Sequence, residues 1–146
     1  MNIIFVCTGN TCRSPLAEVI AKAIFAEKGV DAQVISRGLA AETHSPASYN
    51  SRKCAEEMGL SLEDFTSNQI TYEDIEWADI IITMTKMHKE YLQGICDEKG
   101  VEIYTLAEAA GEYIDVSDPF GGDIDAYRAC AEQIYDYVNK IALKLV

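Results

Sequence analysis

Two cysteines, an arginine and a serine fall within eight residues near the start of the chain, in the segment Cys7-Thr8-Gly9-Asn10-Thr11-Cys12-Arg13-Ser14. An apolar run, 2–6, precedes this segment, and Pro15 follows it with apolar residues at helical spacing. The pattern predicts a strand, a tight loop and a helix, and proline is favoured in a first helical turn because its missing N–H is not needed there. Free backbone N–H groups and the helix dipole would then favour an anion at the loop.

The residue types in this loop suit a phosphoryl group. Successive backbone N–H groups can form an anion nest, and the Arg13 guanidinium can hold two phosphate oxygens. The same positive field favours the thiolate of Cys7 as a nucleophile, and the Ser14 hydroxyl can donate to that sulfur. We predict that Gly9 supplies backbone angles closed to other residues. We also predict that Asn10 adopts the left-handed region and ties the loop down with its side chain.

A second candidate lies far downstream, where Asp118 precedes Pro119 in a polar loop predicted over 111–122. Because Asp-Pro is a common turn opener, the residues alone leave open whether Asp118 is a turn residue or a general acid, and Asp115 is a competing carboxylate. A positioned carboxylic acid could protonate the leaving atom and later take a proton from the attacking water. Arg13 and the backbone amides would stabilise the transferred oxygens, so we expect neither a metal nor a cofactor.

Both motifs, Val6-Cys7-Thr8-Gly9-Asn10-Thr11-Cys12-Arg13-Ser14-Pro15 and Asp118-Pro119-Phe120, resemble the low-molecular-weight protein tyrosine phosphatase family. The bacterial branch known as protein arginine phosphatases is the most similar. The resemblance runs over the whole chain in length and element order, and it implies a phosphocysteine intermediate. The catalytic residues that it implies are Cys7, Arg13 and Asp118. Its substrate- and phosphate-binding residues correspond here to Thr8, Gly9, Asn10, Thr11, Cys12, Arg13, Ser14 and Phe120.

Two positions bear on the substrate that this resemblance implies. Thr11 stands where tyrosine phosphatases of the family tend to carry a larger aliphatic residue, and a shorter side chain with a hydroxyl resembles the arginine phosphatase pattern. Phe120 stands where many tyrosine-directed members carry a tyrosine, and it would form an apolar wall. We therefore expect hydrolysis of phosphoarginine residues in proteins, with phosphotyrosine as the alternative. An ionised Asp118 could receive the guanidinium N–H groups.

The resemblance also concerns the support of the loop and its oxidation. Ser36 matches a family serine that supports Asn10, although a strand-end serine is an equally ordinary reading. Phe65 stands where family members often place a loop-supporting histidine, which puts the usual hydrogen-bond network in doubt. The family implies a disulfide between Cys7 and Cys12 on oxidation, and hence an enzyme whose activity is lost with peroxide and restored by thiol.

Two other classes of protein are alternatives. Thiol-dependent arsenate reductases share the fold but relay oxidation through two further cysteines close together in the middle of the chain. Residues 79–90 contain no cysteine, and Cys54 and Cys96 are far apart in sequence. A non-catalytic phosphate-binding or phosphocarrier module is the second alternative, and the pairing of Arg13 with a distant Asp118 argues against it.

Composition limits the compartment and the partners. The chain has 146 residues and a formal net charge of −12, which suits a single phosphatase domain over 1–146 and argues against nucleic acid or an anionic membrane as a partner. No apolar run is long enough to span a bilayer, and no signal peptide fits. We expect a cytoplasmic monomer acting on phosphorylated proteins. Five cysteines without a framework argue against structural disulfides, and His44 and His88 are expected at the surface, with no ligand spacing for a metal.

Strand and helix patterns alternate along the chain. The predicted strands are 2–6, 31–36, 79–84 and 101–104, and the predicted helices are 15–28, 47–58, 72–77, 86–95, 106–110 and 123–145. This order predicts an α/β three-layer sandwich, in which a central four-stranded parallel sheet has helices on both faces and the phosphate-binding loop follows the first strand. The predicted apolar stripe of the last helix is Ile124, Tyr127, Ala131, Ile134, Tyr135, Val138, Ile141, Ala142 and Leu145.

Overall fold

Four parallel strands form the sheet of the computed structural model, which describes residues 1–96 and 100–145. They are β1 (Asn2–Cys7), β2 (Gln33–Gly38), β3 (Ile80–Thr83) and β4 (Glu102–Thr105), in the spatial order β2-β1-β3-β4. Every neighbouring pair is parallel. The strand order reverses between β1 and β3, so the loop after β1 lies at the switch point where such sheets bind ligands.

Six helices in the described residues cover the two faces of this sheet: α1 (Arg13–Lys28), α2 (Tyr49–Glu57), α3 (Tyr72–Trp77), α4 (Lys86–Cys96), α5 (Leu106–Ala110) and α6 (Ile124–Leu145). Side chains of β1 alternate between two hydrophobic clusters, because successive residues of a strand point to opposite faces. Ile3 and Phe5 pack with α1, α5 and α6, whereas Ile4 and Val6 pack with α3 and α4. The predicted three-layer α/β fold is thus confirmed.

Two predicted boundaries near the loop are displaced. The second strand lies two residues later than predicted, because its polar end stays extended through pairing on both sides. Gly38 pairs with Cys7 of β1, and its N–H and C=O bond to Asn68 and Ile70. Helix α2 begins at Tyr49, where the Ser48 side chain caps the N-terminus by accepting from the Ser51 N–H.

The buried apolar stripe of α6 is largely as predicted, but a different tyrosine is buried. Tyr135 is exposed and lies at the border of the stripe, and Leu145 is also exposed. Tyr137 is buried instead, on the same side of the helix as Cys130, and its hydroxyl donates to the Ile114 carbonyl at 2.9 Å. A tyrosine whose hydroxyl has a partner can be buried as readily as an aliphatic residue.

The described residues contain no disulfide, no helix that could span a membrane and no cluster of metal-binding side chains. All five cysteines lie within these residues, and no disulfide joins them. No helix there is long and apolar enough to cross a membrane. Within the same residues, no three or more His, Cys, Asp or Glu side chains are grouped so that they could hold a metal ion.

Candidate active site

The loop after β1 is held by backbone hydrogen bonds from the segment that follows β2. The Leu39 N–H donates to the Cys7 carbonyl at 3.0 Å, and the Ala40 N–H donates to the Thr8 carbonyl at 2.9 Å. Asn10 adopts the left-handed conformation with φ 56°, as predicted. The prediction for Gly9 is wrong, since its φ is not positive. The unusual angle falls on Asn10, whose side chain supplies the hydrogen bonds that hold it there.

Asn10 is the centre of the network that supports the loop. Its Nδ2 donates to the Ser14 hydroxyl at 2.8 Å and to the Ser36 hydroxyl at 3.0 Å, and its Oδ1 accepts from the Asn68 N–H at 2.9 Å. The predicted support by Ser36 is confirmed. Phe65 packs against the hydrophobic core, and the backbone of Asn68 makes the polar contact to the loop in this region.

Cys7 lies at the carboxyl end of β1, and its side chain is almost fully buried. Its sulfur is 2.9 Å from the Ser14 hydroxyl, the group predicted to donate to it. Because Asn10 donates to the same hydroxyl oxygen, the hydroxyl hydrogen is left for one of two acceptors, the Cys7 sulfur at 2.9 Å or the more distant Arg37 carbonyl at 3.5 Å. The arrangement can stabilise a thiolate, both as a nucleophile and as a leaving group.

Arg13 connects the loop with the downstream segment that carries Asp118. Arg13 is 5% exposed, and its guanidinium Nη1 donates to the Val116 carbonyl at 3.0 Å. Val116 is itself tied to the sheet, since its N–H donates to the Met84 carbonyl at 3.0 Å. The Arg13 Nη2 is 3.7 Å from Asp118 Oδ2. The structure thus brings together an arginine and a carboxylate that are more than one hundred residues apart in sequence.

The two acidic candidates of the long loop have different surroundings. The Asp118 side chain is 54% exposed, and its Oδ1 accepts from the Phe120 N–H at 3.0 Å. Asp115 instead accepts from the Lys86 N–H at 3.1 Å, which places its carboxylate at the first turn of α4. Asp118 is therefore the carboxylate that faces Arg13 and solvent, where a leaving group would depart.

Of the remaining predicted binding residues, Thr11 and Cys12 lie in the loop and Phe120 lies in the downstream segment. The Thr11 carbonyl accepts from the Ser48 N–H at 2.8 Å, and the Thr11 side chain is half-buried. The Cys12 sulfur is buried, 3.6 Å from the Ser48 hydroxyl and 3.7 Å from the Tyr127 hydroxyl. Burial, together with Cys12, raises the pKa of Tyr127 to about 12, so that hydroxyl stays protonated. Phe120 is 80% exposed, so its ring can contact a bound substrate.

The prediction that His88 is a surface residue is wrong. Its ring is buried under the loop, and Nε2 is 2.9 Å from the Thr8 hydroxyl. Burial and the nearby Arg13 lower the pKa of His88 to about 4, although Asp115 and Asp118 act in the opposite direction. The ring is therefore neutral at pH 7. His44, by contrast, is exposed as predicted.

Gly38 is a second residue that the sequence analysis missed. A Cβ at this position would lie 2.7 Å from the Thr8 carbonyl oxygen, 2.8 Å from Ala41 Cβ and 3.0 Å from Asn10 Cβ. Only a residue without a side chain allows β2 to approach the loop so closely. A glycine at a strand end adjoining the loop is the signal that could have indicated this contact.

Together the sheet, the loop and the opposed Arg13 and Asp118 define an α/β protein with a candidate phosphate site centred on a cysteine. Comparison with known proteins agrees with this class: a model of the family described as low molecular weight phosphotyrosine protein phosphatase matches residues 2–146. The chain belongs to this family, and it is a protein phosphatase.

Relatives carry two different activities in their names. A low molecular weight protein-tyrosine-phosphatase PtpB of Staphylococcus haemolyticus is 43% identical over 141 residues, which cover 97% of both chains. A protein-arginine-phosphatase of Bacillus subtilis is 36% identical, over 99% of this chain and 97% of the relative. Among solved structures, the YwlE arginine phosphatase, a C7S mutant with a phosphorylated active-site serine, superposes with a TM-score of 0.95. It is 35% identical, over 99% of this chain and 95% of that one.

Proposed function

We propose that this protein hydrolyses phosphoarginine residues in proteins through a phosphocysteine intermediate. The Cys7 thiolate attacks phosphorus and forms an S–P bond while the N–P bond breaks, and Asp118 gives its proton to the departing guanidino nitrogen. Water then attacks phosphorus, and the S–P bond breaks to return the Cys7 thiolate. Asp118 takes a proton from this water, and inorganic phosphate leaves.

The geometry supports these roles for the loop and the acid. Arg13 is held by Val116 beside Asp118, so that a guanidinium and a carboxylate can face the same phosphoryl group. Ser14 contacts the Cys7 sulfur, which stabilises the thiolate when phosphocysteine is hydrolysed. The phosphorylated serine in the related YwlE structure supports a phosphoryl-enzyme intermediate at this position. Asp118 is exposed enough to exchange protons with solvent between the two steps.

The single observation that carries the substrate assignment is the threonine at position 11. A short side chain leaves room beside the phosphorus for a planar guanidino group, whereas a larger aliphatic residue would pack on a phenyl ring. Relatives named arginine phosphatases match this chain over nearly its whole length. Phosphotyrosine is the second candidate, because the relative with 43% identity is named a tyrosine phosphatase.

Paired initial rates on phosphoarginine and phosphotyrosine peptides of the same flanking sequence test the assignment. We expect the wild type to prefer phosphoarginine, and the Thr11→Ile variant to lose or invert that preference because the longer side chain fills the space beside the phosphorus. The ratio of kcat/KM values is the quantity to compare. A wild-type preference for phosphotyrosine that Thr11→Ile leaves unchanged would assign the protein to phosphotyrosine.

The cellular setting forms part of the same proposal. An odd number of cysteines without a disulfide framework is typical of a reducing compartment, and we place the enzyme in the cytoplasm as a monomer with phosphorylated proteins as partners. The Cys12 thiol lies in the same loop as Cys7, so the expectation of a reversible disulfide between them stays part of this proposal. Cys54 and Cys96 belong to hydrophobic clusters on opposite faces of the sheet, which disfavours the cysteine relay of an arsenate reductase.

A further inference from the structure

Two buried polar atoms beside the phosphate loop have no hydrogen-bond partner among the described residues. They are Nδ1 of His88, a ring that is 7% exposed, and Oδ1 of Asp115. Both lie at the first turn of α4, since His88 belongs to that turn and Asp115 Oδ2 accepts from the Lys86 N–H. No direct hydrogen bond joins the two atoms. Because an unpartnered buried polar atom is costly, one water bound between them would satisfy both.

Chemistry decides which of them donates. An ionised carboxylate oxygen can only accept, whereas a neutral imidazole carries one hydrogen on either ring nitrogen. Burial and Arg13 keep His88 neutral at pH 7 against the opposing effect of Asp115 and Asp118. A hydrogen on Nδ1 would be donated to the bridging water, which in turn donates to Asp115 Oδ1. The other ring nitrogen, Nε2, is then a pure acceptor.

The state of Nε2 determines what the Thr8 hydroxyl can do. With Nε2 as an acceptor at 2.9 Å, the single hydroxyl hydrogen of Thr8 points toward His88. The lone pairs of Thr8 Oγ1 then remain for another molecule. Thr8 directly follows Cys7 and is exposed, so a substrate bound beside the nucleophile can reach this hydroxyl.

We infer that Asp115, one bridging water, His88 and Thr8 form a chain of hydrogen bonds that presents the Thr8 hydroxyl as an acceptor to the guanidino N–H groups of the substrate. Thr8 is then a residue that determines specificity, and His88 and Asp115 are positioning residues that set the direction of its hydroxyl. A phenyl phosphate offers no N–H group, so this contact favours phosphoarginine. The inference rests on the proposed function and deepens it.

Variants of Thr8 test the acceptor through the ratio of kcat/KM on phosphoarginine to kcat/KM on phosphotyrosine, measured at pH 7 on matched peptides. Thr8→Val has nearly the same shape without the hydroxyl, and we expect the ratio to fall about tenfold or more, as for a lost hydrogen bond to a charged group. Thr8→Ser keeps the hydroxyl, and we expect it to hold the ratio within about threefold. Because position 8 is exposed, neither change should prevent folding.

His88→Phe and His88→Gln form the matched pair for the positioning residue. Phenylalanine removes the acceptor but keeps a ring, so the ratio should fall as in Thr8→Val. Glutamine can place an amide oxygen where Nε2 lies, and it should restore at least part of the ratio. A merely structural role would lower both activities together and leave the ratio unchanged.

The tautomer of His88 provides a readout that does not depend on activity. The chain has two histidines, so correlation spectra of the imidazole ¹⁵N nuclei at pH 7 are simple to assign. In the His44→Gln variant, the signals that remain belong to His88. A hydrogen on Nδ1 supports the inference, and a hydrogen on Nε2 overturns it.

If the wild type prefers phosphoarginine but Thr8→Val leaves the ratio within twofold, the inference fails and the proposed function stands. If the wild type prefers phosphotyrosine, both fail.

Discussion

Ser14 links the nucleophile to the scaffold of the loop, since its hydroxyl contacts the Cys7 sulfur and also accepts from Asn10. We expect Ser14→Ala to lower kcat by about tenfold to a hundredfold, as for a lost hydrogen bond to a charged group. Hydrolysis of phosphocysteine should slow most, because the thiolate is the leaving group in that step. Rapid-quench kinetics would then show a larger burst of released dephosphorylated product than in the wild type.

Ser36→Ala is the matched control, because it removes another hydroxyl partner of Asn10 while the contact between Ser14 and Cys7 remains. It should reduce kcat much less than Ser14→Ala does. An equal loss in both variants would mean that the loop scaffold, and not the stabilised thiolate, explains the effect of Ser14.

Single residues also show where sequence reasoning ends. Asn10, Ser14 and Ser36 could be assigned because their types match a local task or a family position. His88 could not, since a histidine in a polar helical segment is usually exposed, and only the packing of α4 against the loop buries it. The prediction that Tyr135 is buried failed for a similar reason. Tyr137 is buried in its place because its hydroxyl donates to the Ile114 carbonyl, which lies in a loop distant in sequence.

At the scale of elements, the loop is shaped by β2 as much as by its own residues. We expect Gly38→Ala to cost about 1–3 kcal/mol of unfolding free energy, because the added methyl group meets the backbone of Thr8. The loop would shift away from β2, and kcat/KM should fall by about tenfold to a hundredfold through misplacement of the reacting groups. Urea unfolding and steady-state kinetics measure the two effects.

Gly94→Ala controls for the general effect of replacing a glycine. Gly94 is exposed in α4, and a Cβ there would meet no other atom within 4 Å. Its replacement should raise the unfolding free energy by up to about 1 kcal/mol, since alanine favours a helix, and leave the kinetics unchanged. If Gly38→Ala behaved in the same way, the close approach of β2 would not shape the loop.

Most elements could be predicted because their signals are local. The isoleucine run of β3 and the threonine-capped starts of α3 and α5 depend on neighbours in sequence. The end of β2 could not be predicted, since Arg37 and Gly38 carry no apolar strand pattern and remain extended through partners on both sides.

At the scale of the whole molecule, the net charge of −12 surrounds a site built for an anion. We expect a phosphopeptide with lysine flanks to have a kcat/KM about tenfold above that of its glutamate-flanked counterpart at low salt, because the long-range field attracts the cationic peptide. Added salt should reduce the difference by screening. Initial rates over a range of sodium chloride concentrations measure it, with serine flanks as the neutral reference. A preference that does not change with salt would indicate local contacts with the flanks instead.

The overall architecture followed from the alternation of strand and helix patterns, and the position of the loop followed from the rule for ligand sites in parallel sheets. The joining of Arg13 to the Asp118 segment could not be read from the residues, since it depends on a carbonyl at Val116 that any residue type could supply.

The two hydrogen bonds of Val116 affect which residues of the site can change without loss of phosphate binding. Its N–H is fixed to the end of β3 and its carbonyl to Arg13, so the chain is anchored on the near side of Asp118. Changes in residues 117–122 can therefore alter the acid and the wall around the leaving group without disturbing the grip on phosphate. One residue with hydrogen bonds on both sides thus separates the groups that hold phosphate from the groups around the leaving atom, so a change of substrate through residues 117–122 need not involve the loop that carries Thr11.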